Sequence, residues 1–71
     1  MRWGPEEVDR LERAIAEEQR IRIFRKGSEY VILPRALRSQ GSVEEIVAVH
    51  PGTGEEIRFR LDELEYFSVL S

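Results

Sequence analysis

Two hydrophobic rhythms divide the chain. Through residues 5–19, "PEEVDRLERAIAEEQ", Val8, Leu11 and Ile15 recur at three- and four-residue steps with Ala14 beside them, which gathers them on one face of a helix. Its start is well marked: Pro5 suits the first helical position, where a missing N–H costs nothing, and Glu6 and Glu7 set negative charge at the positive end of the dipole. Trp3 is expected to fold back on Val8 or Leu11 as a staple-like contact. Glu6, Arg10, Arg13 and Glu17 fall on the opposite face, spaced by three or four residues, and read as a solvated surface.

From Arg20 onward the period drops to two. "RIRIFRK" alternates Ile21 and Ile23 with Arg20 and Arg22, Gly27-Ser28 supplies a turn, and "EYVILP" forms a second strand that Pro34 is expected to end. "RALRSQGS" reads as a loop and "VEEIVAVH" as the third strand. Pro51-Gly52-Thr53-Gly54 makes a tight hairpin into a fourth strand, "EEIRFRL". "DEL" is a single turn of tight helix and "EYFSVL" the last strand. The expected fold is one domain over residues 1–71, mainly β, with a helix over 5–19 and five strands over 20–70. A thin core and exposed sheet edges are resolved by bending the antiparallel sheet into a small five-stranded barrel of Sm-like or Src-homology-3-like form, with the helix capping one end. The alternative is a flatter α+β sheet with the helix across one face.

Size and composition sharpen this picture. A chain of 71 residues hides only about 60% of its unfolded surface, so nearly every apolar residue is needed in the core. Cysteine is absent, which removes disulfides, thiolate metal ligands and a thiol nucleophile. The small domain must therefore rely on packing, charge networks or association with another chain, a second copy included. No stretch approaches the roughly 18 apolar residues of a membrane span, so no membrane partner is expected and the cytoplasm is the default location. Basic residues are ten arginines and the single Lys26, a bias compatible with a thermophilic or GC-rich source.

The net charge of −3 conceals a division. Residues 5–19 carry −4, residues 20–60 carry +3, and residues 61–71 carry −3. A polyanion site in such a chain is a local patch rather than a general property of the surface.

Catalytic chemistry finds little support. Nucleophilic hydrolysis needs a base, and the lone His50 stands where a strand enters the Pro-Gly hairpin, as a turn residue would. Glu55 and Glu56 across that hairpin do not complete a metal set without a second histidine. Adjacent acids such as Glu44-Glu45 and Asp62-Glu63 point to opposite faces of a strand and do not converge on a scissile bond. "GTGEE" lacks the lysine and the following helix of a phosphate-binding loop. No enzyme activity and no cofactor are expected.

The remaining signal is arginine on strands. Arg20, Arg22, Arg58 and Arg60 take the outward phase if Ile21, Ile23, Ile57, Phe59 and Leu61 face inward. Arg25 and Lys26 adjoin them at the first turn, with Arg35 and Arg38 in the following loop. Guanidinium groups on a stiff strand lose little entropy when they grip a carboxylate or phosphate, so Arg20, Arg22, Arg25, Lys26, Arg58 and Arg60 form the candidate binding set for an anionic ligand, nucleic acid or an acidic protein segment. The competing reading is that Glu29, Glu44, Glu45, Glu55 and Glu56 pair with these cations across the strands. Phe24 falls out of phase with Ile21 and Ile23, as Tyr66 does with Phe67, which places one of each pair at the surface, as stacking or a protein interface would use.

These residues also carry a resemblance. "LERAIAEEQRIRIFRKG", "VILPRAL" and "EEIVAVHPGTGEEIRFRLDELEYFSVL" together resemble the core of the WYL domain, a bacterial module whose pattern runs from "Ai" and a basic strand through a "P" segment to "FRLDrI". The likeness covers most of the chain. It implies a bent Sm-like barrel of the kind found in regulators that couple nucleotide or nucleic-acid ligands to transcription and defence. The tryptophan-tyrosine-leucine triplet is absent, with "EEIVAVH" in its place, and Glu63 stands where the pattern has a basic residue. Arg58 and Arg60 are the nearest matches to the family's basic positions, and the chain resembles a shortened relative.

Overall fold

The computed structural model describes residues 2–70 and shows one N-terminal helix followed by five antiparallel strands in one sheet. Helix α1 (Pro5–Ala16) is followed by β1 (Ile21–Arg25), β2 (Ser28–Gln40), β3 (Val43–Val49), β4 (Glu56–Arg60), a 3-10 turn (Leu61–Glu63) and β5 (Leu64–Val69). The helix begins as its sequence directs, with Pro5 in the first turn and the Gly4 N–H donating to Glu7 Oε1 at 3.0 Å. It stops three residues earlier than the heptad-like spacing suggests. Glu18 enters the left-handed region at φ 54°, and the Gln19 and Glu18 amides donate back to the Ala14 and Ile15 carbonyls at 2.9 and 3.3 Å. That pair of bonds is a Schellman closure built without the usual glycine.

The largest departure is β2. Pro34 does not end it, and residues 35–40 are strand rather than loop. Residues 28–32 pair with β1 and residues 33–40 with β3, with a register shift between Pro34 and Ala36 where the strand changes partner. Pro34 is buried at that irregularity, a position that tolerates a residue with no N–H. One long strand therefore serves both halves of the sheet, whose order is β4-β3-β2-β1-β5.

Closure is the second departure. Among the described residues β4 pairs only with β3 and β5 only with β1, so the sheet stays open and is not a barrel. The helix packs on β2 and β5, as in the α+β alternative. Leu11 and Ala14 enter one cluster with Ile21, Ile23, Ile32, Ile46, Ala48, Phe59, Leu61, Leu64 and Phe67, and among the described residues no polar side chain is buried. Trp3 stacks on Phe67, with centroids 5.1 Å apart, while its Nε1–H donates to the Leu61 carbonyl at 3.0 Å. Arg10 lies over the same Phe67 ring at 4.7 Å. None of the described helices is long and apolar enough to cross a membrane.

Candidate anion-binding face

The strand registers decide which arginines share a surface. Residues directly opposite in an antiparallel pair point to the same face. Arg38 of β2 stands opposite Glu45 of β3, which stands opposite Arg60 of β4; one row along, Ala36, Val47 and Arg58 align in the same way. Arg38, Arg58 and Arg60 thus lie on the outer face of the β2–β3–β4 half, back to back with Ile46, Ile57 and Phe59. On the other half Arg22 of β1 lies between Val31 of β2 and Ser68 of β5. The outward phase expected for Arg22, Arg58 and Arg60 is what the registers give, but these arginines divide between two surfaces.

Arg58 and Arg60 are held locally. The Arg58 Nε–H donates to Glu56 Oε2 at 3.3 Å, and Arg60 grips Asp62 with two bonds, Nε to Oδ1 at 3.1 Å and Nη2 to Oδ2 at 2.7 Å. The Asp62 hydrogen bonds and charge, with smaller help from Glu63 and Glu45 against burial, raise the Arg60 pKa above its ordinary value, so it stays charged throughout the working range. Both pairs join residues two apart on solvated chain, with about half of each arginine side chain exposed. Exposed pairs of this kind contribute little to stability and leave the guanidinium open to exchange for another anion. Of the cross-strand pairs expected from sequence, Arg22–Glu29 forms, whereas Glu44 meets the Ser39 hydroxyl at 3.4 Å.

Arg25 has a different task. It continues the inward phase of Ile21 and Ile23, and its guanidinium lies 5.3 Å from the Tyr30 ring centre and 5.0 Å from that of Phe59. These two rings are themselves 5.4 Å apart, so Arg25 covers one end of the core. Lys26 and Gly27, at φ 51° and 76°, form the two-residue turn, which Glu65 braces by accepting the Gly27 N–H at 3.2 Å. Arg20 is exposed just before β1, its carbonyl accepting the Leu70 amide at 2.8 Å.

Arg38 is the member that sequence reasoning left out, because residues 35–42 read as a loop. With Ser39, Gln40, Glu45 and Arg58 it lines a shallow depression of about 270 Å³. The signal for it was the alternation of Ala36, Arg38 and Gln40 with Leu37 and Ser39. That alternation is faint beside the nearby proline and glycine. His50 is a turn residue: its Nδ1 accepts the Gly52 N–H at 3.0 Å.

A comparison with protein-family models finds no match to this chain, and neither does a comparison with curated proteins.

Proposed function

We propose that this domain is a binding module without catalytic activity that takes an anionic ligand, a nucleic acid or an acidic protein segment, on the outer face of β2, β3 and β4. The observation that carries the reading is the meeting of Arg38 and Arg58 at one depression, with Arg60 in the adjoining row and Gln40 beside them. Three guanidiniums on paired strands are held at fixed separations, so a phosphate or carboxylate meets donors already in place. Glu45, Glu56 and Asp62 keep this surface close to neutral in the free protein and give way one ion pair at a time. The one histidine spends its Nδ1 on the hairpin backbone. A small WYL-like module acting in the cytoplasm, its sheet open rather than closed into a barrel, is the setting this reading implies, in line with the resemblance described above.

The test is a fluorescence-anisotropy titration with short single-stranded oligonucleotides and with inorganic polyphosphate from 20 to 300 mM salt. Three phosphate contacts give a log–log slope of about −2 on a single strand. Affinity independent of salt, or no binding of any polyanion at 20 mM salt, would refute the reading.

A further inference from the structure

The other half of the sheet carries a surface that anion binding does not use. Register places Glu29, Phe24 and Tyr66 side by side on β2, β1 and β5, then Val31, Arg22 and Ser68 in the next row; Leu70 adjoins Arg20 beyond them. All point away from Ile21, Ile23, Ile32 and Phe67, and therefore away from the core and the helix that packs on it. Tyr66 is 55% exposed and Val31 37%, and the Phe24 and Tyr66 rings lean together at 5.9 Å. In a chain with so few large apolar residues, placing an aromatic pair and a valine outside the core leaves an apolar surface without cover.

We infer that this face is a self-association surface whose occupant is a second copy of the same chain, packed face to face about a twofold axis. Charge selects the occupant. Arg22 and Glu29 sit on adjacent strands 3.3 Å apart, one of each sign. A twofold axis between them carries each Arg22 to the partner's Glu29, so the patch is complementary to itself. The Arg22 and Glu29 side chains are 43% and 45% exposed, so a facing copy can reach both charges. A nucleic acid fits less well, because Glu29 sits in the row beside both aromatic rings and Glu65 adjoins Tyr66.

The extent of the patch sets the strength. Three strands about 4.8 Å apart with three side-chain rows about 6.8 Å apart cover on the order of 300 Å². Doubled, that falls below the about 1,200 Å² of the smaller stable complexes, so the dimer is a weak and transient one. The inference does not depend on the anion-binding reading, which uses the other half of the sheet.

The test is sedimentation equilibrium from 10 μM to 2 mM on the full chain, with circular dichroism confirming the fold of every variant. The wild type is expected to pass from monomer to dimer. Arg22→Glu and Glu29→Arg each leave two like charges on the patch and should each weaken self-association at least tenfold, while an equimolar mixture of the two should form a heterodimer. Tyr66→Ala, at an exposed position that does not threaten folding, should weaken the wild-type dimer at least tenfold. A wild type that stays monomeric at 2 mM would overturn the inference. So would variants that associate as the wild type does, a mixture that remains monomeric, or association seen only after an oligonucleotide is added. Polyanion binding that survives Tyr66→Ala and Glu29→Arg would leave the anion-binding reading standing on its own.

Discussion

Replacing Arg25 by alanine separates an arginine that holds the fold from those offered to a ligand. Its guanidinium covers two rings at 5.0 and 5.3 Å, and the Phe59 ring beneath it is almost wholly buried. A cation over an aromatic face contributes about 0.5–1 kcal/mol when exposed and about 2 when desolvated. For a half-buried arginine shared between Tyr30 and Phe59, the expected cost of Arg25→Ala is about 2 kcal/mol. The 3.5 Å contact from Nη2 to the Tyr30 hydroxyl is too long to add much. In a domain of this size each kcal/mol moves the melting midpoint by about 4–8 °C, so the midpoint should fall by about 8–16 °C. Arg25→Lys keeps the charge but not the flat, stacking guanidinium and should lie between the two. Urea denaturation followed by circular dichroism gives the free energy, and an unchanged m-value ties the effect to the native state. Stability within 0.5 kcal/mol of wild type would refute the reasoning, as would a loss of anion affinity larger than that caused by Arg58→Ala.

Glu18→Gly should stabilise the protein by about 0.5–1 kcal/mol in the same denaturation assay, because glycine accepts the left-handed conformation at the helix end and the change removes a carboxylate from the negative pole of the dipole. Trp3→Phe keeps a ring over Phe67 but loses the Nε1–H bond to Leu61, at a cost of about 1 kcal/mol; Trp3→Ala loses the stack as well and should cost about 3, read by thermal melting. Phe59→Ala should cost about 3–5 kcal/mol and leave little folded protein at room temperature, which a one-dimensional proton spectrum would show.

The helix and the alternation of β1, β3, β4 and β5 were legible because hydrophobic period is a local property. The course of β2 was not. Pro34 and Gly41 are strong local punctuation, and the strand runs through the proline because it changes partners there, from β1 to β3, a tertiary event with no counterpart within residues 28–40. The same misreading hid Arg38, which becomes an outer-face residue only once residues 35–40 are strand. Arg25 was misplaced for a related reason: strict alternation from Ile21 sets it inward with Ile23, but its place next to a turn suggested exposure, and only the rings of Tyr30 and Phe59 show what it covers. The open sheet follows from a pairing that β4 and β5 do not make, and strand patterns do not encode which edges meet.

The central claim, that the outer face of β2, β3 and β4 receives the anion, is tested most directly by nuclear magnetic resonance. Uniformly nitrogen-15-labelled protein would be titrated with a short single-stranded oligonucleotide and with polyphosphate at low salt, following the backbone amides and the arginine Nε–H signals. The account predicts saturable shifts of the Arg38, Arg58 and Arg60 Nε–H groups and of the amides of residues 36–47 and 56–60, lost in an Arg58→Glu/Arg60→Glu variant, with the Arg25 signal unmoved. Shifts centred on Arg20, Arg22 and Tyr66, or no shifts at all, would contradict it.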